Sequence, residues 1–331
     1  MGKKRWVFPA AIGFLLLSAA LSLCLGAARL SLPQLWEAML GGPNGTNGFI
    51  FWYSRMPRTA ACLLAGAALA AAGCILQSVL GNQLASPSII GVNAGAGLAV
   101  TVCCALGWLS GWAIAGAAFG GALVAVLAVV VLTRRTGASR TAVILSGVAM
   151  NSIFTAFRDG LTTLVPEVSA LSGQFRVGGF ASVSTARLLP AGIMIVVGLA
   201  IALTLCNDLD VLALGEDTAR SLGMPVRRMR TLFLLLAALM AGAAVSFAGL
   251  LGFVGLLVPH VVRNLVGNDS RRLLPASILV GAGFVTACDL LSRMVFAPYE
   301  LPVGILMAVF GGPFFLVLLL RKKGGRYAAV A

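Results

Sequence analysis

The sequence predicts an all-α integral membrane protein, and three observations lead to this fold class. Of the 331 residues, 60% are hydrophobic and only 10% are charged, with a mean hydropathy of +1.00. A water-soluble domain carries about 25% charged residues, because polar side chains must cover its surface. Several uncharged runs are long enough to cross a bilayer. The 40 glycines would let such helices pack closely in lipid.

The first four predicted spans come from two apolar runs. A membrane-crossing helix needs about 20 apolar residues, and the stretch from Trp6 to Ala28 supplies them. The chain then carries no charge from Thr59 to Thr133, which is far too long for one helix. Polar and turn-forming residues interrupt this run at 81–88 and 107–112, so it predicts three spans.

The rest of the chain supplies six more predicted spans. The uncharged stretch 231–262 exceeds one upright helix, and Gly249, Gly252 and Pro259 divide it. The six spans are 141–157, 188–207, 231–247, 249–266, 273–292 and 301–320. The sequence therefore predicts ten transmembrane helices in a single domain, residues 1–331.

Basic residues at the two ends of the chain orient these spans. Clusters of Lys and Arg lie at 3–5, before the first span, and at 321–326, after the last. Cytoplasmic loops collect Lys and Arg, so both termini are predicted to be cytoplasmic, which requires an even number of spans. In this orientation most basic residues are on the inner side. The net charge of +14 is therefore a feature of membrane topology rather than of nucleic-acid binding.

Two other function classes find little support in the residues. A gradient-driven secondary carrier needs ionisable groups at membrane depth. Only Asp289 lies inside a predicted span, and Arg293 stands one turn away as a local ion-pair partner. A membrane-embedded enzyme needs a cluster of catalytic side chains, but His260 is the only histidine. The seven cysteines have no metal-ligand spacing and are expected to pack as small apolar side chains.

The longest predicted inner loop, 208–230, favours docking on a partner chain. Glu216 and Asp217 would open a short helix, Arg220 stands four residues after Glu216, and Gly223 suits the helix C-cap. The loop also carries several apolar residues, which a merely solvated loop does not need. It is too short for a catalytic domain. Any energy source other than an ion gradient must therefore come from another chain.

Several long motifs, in order along the chain, resemble one transport family. They read RMPRTAACLLAGAALAAAGCILQSVLGNQLASPSIIGVNAGAGLAV at 55–100, ILSGVAMN at 144–151, LGEDTARSLGMPVRRMR at 214–230, GFVGLLVPHVVRNLVGNDSRRLLPAS at 252–277 and ELPVGILMAVFGGPFFLVLLLRKK at 300–323. Over nearly its whole length the chain is similar to the permease subunits of ABC importers for iron chelates, haem and cobalamin, the FecCD type.

The resemblance implies the type II ABC importer permease fold, with ten helices and both termini cytoplasmic. It implies a homodimer, or a pair of similar chains, in the lipid of a bacterial plasma (inner) membrane. Two ABC ATPase subunits would bind on the inner side and an extracytoplasmic substrate-binding protein on the outer side. ATP and Mg would belong to the ATPases, so this chain would bind no cofactor and would not be an enzyme. The expected substrate is an iron chelate, a ferric siderophore, with haem or cobalamin as alternatives.

The resemblance also implies roles for particular residues. Arg55, Arg58 and Arg293 match outer arginines that pair with acidic residues of the binding protein. Ser139 and Arg140 match a cytoplasmic gate region. The residues expected to couple to the ATPase are Leu214, Gly215, Glu216, Asp217, Ala219, Arg220, Leu222 and Gly223.

Overall fold

The computed structural model describes residues 6–26, 31–135, 139–295 and 299–314, and every regular element in these ranges is helical. The basic termini, on which the predicted orientation rests, lie outside the described residues. The helices are α1 (Val7–Cys24), α2 (Leu32–Leu40), α3 (Gly45–Phe49), α4 (Met56–Leu80), α5 (Val92–Ala105), α6 (Gly111–Arg135), α7 (Arg140–Leu164), α8 (Pro166–Val177), α9 (Thr185–Thr204), α10 (Cys206–Ala213), α11 (Glu216–Ser221), α12 (Val226–Ala248), α13 (Val254–Val266), α14 (Ser270–Met294) and α15 (Val303–Phe314). A π-helical turn, Ile50–Arg55, joins α3 to α4.

Apolar helices occupy each predicted span. Within the described residues, seven helical stretches are long and apolar enough to cross a membrane: the first includes α1, the second runs continuously from α3 to the end of α4, and the others are α6, α7, α9, α12 and α14. Three shorter apolar helices, α5, α13 and α15, lie in the other predicted spans. The predicted breaks are present between α4 and α5 and between α5 and α6, because polar and turn-forming residues separate these helices.

Two segments that lie between the predicted spans contain more helix than the apolar runs suggest. The segment 30–58 holds α2, α3 and the π-helical turn, and the segment 158–187 holds α8. Helix α7 continues to Leu164 instead of ending near Phe157. A capping box starts α2, where the Ser31 amide donates to Oε1 of Gln34 at 2.9 Å. Helices α2 and α8 are short and carry polar residues, so a search for long apolar runs does not find them.

Helix α4 forms the centre of the bundle and is buried along almost its whole length. It packs against α12, α13 and α14. Gly66 of α4 lies directly against the backbone of Gly281 in α14, and Gly73 lies against Gly255 in α13. A Cβ atom at either glycine of α4 would collide with these backbones, so the glycines set the interhelical distance, as expected of small residues in membrane bundles.

The chain between α12 and α13 is non-helical, as predicted from Gly249 and Gly252. Protein groups satisfy its backbone: the Leu250 amide donates to the Phe175 carbonyl oxygen at 3.0 Å, and the Gly179 amide donates to the Ala248 carbonyl oxygen at 2.8 Å. Irregular backbone at membrane depth is tolerated when it is bonded in this way. Phe253 has a φ of 64°, a left-handed conformation that is strained for a bulky residue, and its ring packs on Gly311 of α15.

Candidate functional site

The polar groups at one end of the bundle meet at Asp289 of α14, whose side chain is completely buried. Arg58 of α4 donates from Nη2 to Oδ1 at 3.0 Å and from Nε to Oδ2 at 3.1 Å. Arg293, one turn further along α14, places its Nε 3.1 Å from Oδ2. The predicted local ion pair between Asp289 and Arg293 is confirmed. The second arginine comes from 231 residues away in the sequence.

The other arginines of this cluster hold the C-terminal end of α1. Arg55 donates from Nη1 to the carbonyl oxygens of Leu23 and Cys24, at 2.6 and 2.7 Å. Arg293 donates from Nη2 to Oγ of Ser22 at 2.9 Å. Cationic groups are stabilising at the last carbonyls of a helix because those oxygens carry the negative end of its dipole. The cluster therefore fastens α1 to α4 and α14.

The three predicted docking arginines are thus brought together, but unequally exposed. Arg55 and Arg293 are each only 4% exposed. Arg58 reaches the surface, where its Nη1 lies 2.8 Å from Oε2 of Glu300. Glu300 was not predicted as a site residue, because nothing in its local sequence indicates that it meets Arg58. In the single chain, the accessible part of the cluster is the pair Arg58 and Glu300.

At the other end of the bundle, the segment 206–223, which we call the coupling segment, consists of α10 and α11. Helix α11 has the predicted ends: Glu216 opens it, its carboxylate lies 3.5 Å from Arg220 Nη2, and Gly223 closes it with a φ of +81°. The Gly223 amide donates to the Arg220 carbonyl oxygen at 2.9 Å, and the next amide donates to the Ala219 carbonyl oxygen at 3.0 Å. This pair of bonds is a Schellman motif.

The side chains of the coupling segment divide into buried anchors and exposed apolar residues. Ala219 is buried, whereas Leu214 and Leu222 are 65% and 63% exposed. Glu216 also pairs with Arg230, which is buried near the start of α12. Helix α12 already begins at Val226, so the predicted loop 208–230 ends earlier than expected. Asp217, Arg220 and Gly223 are exposed, and Gly215 is half-buried.

The predicted gate residues begin helix α7. Oγ of Ser139 accepts a hydrogen bond from the Ala142 amide at 3.1 Å, so Ser139 is the N-cap. The guanidinium of Arg140 extends away from α7 and donates from Nη2 to the Leu212 carbonyl oxygen at 2.7 Å, at the end of α10. The structure thus brings the predicted gate region and the predicted coupling segment into contact.

Helix α7 carries a polar side through the middle of its length. Asn151, Ser152, Thr155 and Asp159 lie within about 100° of arc on an α-helix. Ser152 and Asp159 are exposed, and the other two are half-buried. Oγ of Ser152 is bonded to the Val148 carbonyl oxygen at 3.1 Å, and the Asp159 carboxylate, 56% exposed, pairs with Arg158 Nη2 at 2.8 Å.

Metal-ligating groups are sparse in the described ranges. No group of three or more His, Cys, Asp or Glu side chains there could hold a metal ion. All seven cysteines are free thiols, and Cys206 at the start of α10 is buried. Burial raises the pKa of this thiol, and the nearby carboxylates of Asp210 and Asp269 raise it further, while Arg271 lowers it. Cys206 is therefore a neutral, unreactive side chain at neutral pH.

Comparison with known proteins places this architecture in a family. A model of the FecCD transport family matches residues 14–321. The chain belongs to the FecCD transport family. It is 36% identical to the iron(3+)-hydroxamate import system permease protein FhuB of Bacillus subtilis strain 168, covering 96% of this chain and 84% of that protein. It is 34% identical to the hemin transport system permease protein HmuU of Yersinia pestis, covering 95% and 96%. It is also 34% identical to the vitamin B12 import system permease protein BtuC of Klebsiella pneumoniae, covering 97% and 95%.

A solved structure shares the same fold. It shows an inward-facing conformation of a transporter assigned to the metal-chelate type of ABC transporter, with a TM-score of 0.85 and 28% sequence identity, covering 96% of this chain and 99% of that one. The predicted family is therefore confirmed, and the chain is a multi-pass membrane protein of a transport family.

Proposed function

We propose that this chain is the permease subunit of an ATP-driven ABC importer in the plasma membrane of a bacterium. Ten apolar helices would cross the bilayer, namely α5, α13 and α15 together with the seven longer spans, and both termini would be cytoplasmic. Two copies of the chain, or this chain and a related one, would enclose a translocation path. The relatives that carry the names of import permeases support this proposal.

The observation that carries the proposal is the polar side of α7. Polar side chains inside a membrane face the bundle interior or a water-filled cavity, since lipid cannot hydrogen-bond them. On α7 such side chains are exposed in the single chain, and Ser152 lies near the middle of the 25-residue helix. A water-filled path between this side of α7 and a second permease chain would hydrate them and keep the charged Asp159–Arg158 pair out of lipid.

The energy source would be a separate pair of ATPase subunits, which carry ATP and Mg. The coupling segment is too small for nucleotide chemistry, and its exposed Leu214 and Leu222 are suited to burial in a groove of another protein. The Schellman motif and the Glu216–Arg230 pair hold α11 at a fixed position relative to α12. A rigid, apolar-tipped helix of this kind can transmit movement from a bound partner.

The binding protein would dock at the opposite end, on the arginine cluster. Arg58 is the accessible arginine, while Arg55 and Arg293 add positive charge beneath it. An acidic group on the partner would be attracted to this net positive cluster, because three arginines face two carboxylates. Charge complementarity of this kind sets the rate and orientation of association more than its affinity.

A gradient-driven carrier finds less support than an ATP-driven importer. Such a carrier would bind or release its ion at an acidic residue inside a span. Because α7 extends to Leu164, Asp159 lies inside a span as well as Asp289, contrary to the sequence prediction. Asp159 pairs with Arg158, and Asp289 is held by two arginines. Both carboxylate oxygens of Asp289 already accept from arginine nitrogens and the side chain is completely buried, so it is poorly placed to bind and release an ion.

Purification of the intact complex tests the proposed assembly. A tag on this chain would be used for mild detergent extraction from the native host, followed by native mass spectrometry. We expect two permease chains and two ATPase chains, with ATP hydrolysis by the complex. Recovery of this chain without any ATPase, under the mildest extraction, would contradict the proposal and favour the carrier.

The proposed substrate is an iron chelate, a ferric siderophore, with haem or cobalamin as alternatives. The test is uptake by a host strain from which this chain has been deleted, with and without its restoration. Iron-55 bound to a hydroxamate siderophore, haemin and radiolabelled cyanocobalamin would be compared. We expect only ferric siderophore uptake to depend on the chain; dependence of another substrate alone would replace that assignment.

A further inference from the structure

Arg140 connects the first turn of α7 to the C-terminal end of α10. Its Nη2 lies 2.7 Å from the Leu212 carbonyl oxygen and 3.5 Å from that of Ala213. These carbonyls end α10 and carry the negative end of its dipole, so a guanidinium there makes charge-assisted hydrogen bonds. The bond joins two segments that are 72 residues apart in the sequence.

The path of this side chain depends on Gly81, which ends α4. Gly81 has a φ of +58°, and a Cβ atom on it would stand 2.5 Å from Nη1 of Arg140. A Cβ atom there would force the guanidinium to shift from this position. Glycine at the end of the central helix therefore leaves space for Arg140 to reach α10.

Helix α10 is also attached to the bundle by polar contacts and is joined to α11 by a short connection. Asp210 of α10 accepts hydrogen bonds from the Ser270 amide, at the start of α14, at 3.0 and 3.2 Å. Helix α10 also borders a cleft of ≈ 460 Å³ that lies between α4, α13 and the loop before α14. Two residues separate α10 from α11, whose first residue, Glu216, pairs with Arg230. A displacement of α11 therefore reaches α10 through a very short connection.

We propose that Arg140 is a positioning residue that transmits movement of the coupling segment to α7. This rests on the proposed function, in which an ATPase moves α11 and the polar side of α7 lines the path. A rigid hydrogen-bonded link at the first residue of α7 would turn or shift that helix when α10 moves. Without the link, ATP hydrolysis would continue but α7 would respond less.

The test measures the response of α7 in the full complex with its ATPase. Ser152→Cys, on the polar side of α7, would be labelled with a water-soluble maleimide, both without nucleotide and with ATP plus vanadate. We expect the two labelling rates to differ in this parent. In R140Q we expect that difference to be lost while ATP hydrolysis is retained. R140K should restore part of it, since an ammonium group can reach one carbonyl but lacks the guanidinium fork.

Two matched controls separate this link from general loss of charge or of fold. R187Q removes an arginine that is remote from the coupling segment and donates to the Ser182 carbonyl oxygen at 2.6 Å. This variant should keep the difference between the two labelling rates. G81A, in which the added methyl group would displace the guanidinium, should reduce the difference in labelling even with Arg140 present. G107A places alanine at a φ of +74° with no atom within 4 Å of the added Cβ, so it reproduces the strain without the clash and should keep the difference.

The outcomes distinguish the inference from the proposed function. If R140Q folds and hydrolyses ATP, and the labelling difference persists, the inference about Arg140 is wrong and the importer proposal stands. If the parent itself shows no effect of ATP and vanadate, the proposed function fails and the inference fails with it.

Discussion

Replacing Asp289 by asparagine would remove the carboxylate that holds Arg58 and Arg293 while keeping the shape of the side chain. The carboxyl group is fully buried, and its oxygens lie 3.0 and 3.1 Å from the nearest nitrogens of the two arginines. After the substitution, buried guanidinium charge would remain without its counter-charge. Removing one partner of a buried ion pair costs about 3–5 kcal/mol, because the remaining charge is left uncompensated.

The size of this effect comes from the arrangement around Asp289. Arg55 is also buried near Arg293, so loss of the carboxylate leaves three cationic groups near one another, with Glu300 at the edge of the cluster. We therefore expect D289N to lie toward the upper end of the range, about 4–5 kcal/mol. The fastening of α1 should weaken with it, since Arg293 also bonds to Ser22.

The assay is reversible unfolding of the full chain in mixed micelles, followed by tryptophan fluorescence and circular dichroism. D159N is the matched control: Asp159 also pairs with an arginine, at 2.8 Å, but its side chain is 56% exposed. Exposed pairs contribute about 0–1 kcal/mol, so D159N should unfold nearly as the wild type does. The double variant R58Q/D289N should regain part of the loss. A D289N protein within about 1 kcal/mol of wild type would refute the reasoning, because it would mean that the cluster is solvated.

Three further predictions concern other parts of the molecule. Gly66→Ala should destabilise the chain by about 1–3 kcal/mol in the same assay, since the added methyl group meets the backbone of α14; Gly116→Ala, with open space around it, should not. Glu300→Gln should strengthen association with the binding protein, measured by surface plasmon resonance at low salt, because Arg58 loses a competing carboxylate; weaker association would show that Glu300 itself contacts the partner. Alkylation of Cys206 should be slow at pH 7, and its rate should rise only at a more alkaline pH than for an ordinary thiol, since the pKa of Cys206 is raised. Mass spectrometry of the protein treated with iodoacetamide measures this rate. Rapid alkylation at pH 7 would contradict the burial of Cys206.

Local patterns in the sequence predicted much of the helical framework. The polar residues at 81–88 separate α4 from α5, and Gly249 and Gly252 separate α12 from α13. These breaks could be predicted because the end of a helix depends on the conformational preferences of a few neighbouring residues. The ends of α11 and the pair of Asp289 with Arg293 were predictable for the same reason, since they depend on spacings within one helix. The helices of the outer segments, α2 and α8, were missed because they are neither long nor uniformly apolar.

The sequence by itself therefore determined that this chain is a helical membrane protein, where its long helices break and to which family it belongs. Only the tertiary structure decided which side chains meet across those helices. Arg58 reaches Asp289, and Arg140 reaches the Leu212 carbonyl oxygen, over 231 and 72 residues of chain. Such contacts depend on how α4, α7, α10 and α14 pack. Their packing is set by glycines that let helix backbones come close together and by the burial of whole helix faces. A local sequence pattern does not predict these contacts. The residues around an arginine do not show whether its side chain lies at the surface or is buried against a carboxylate.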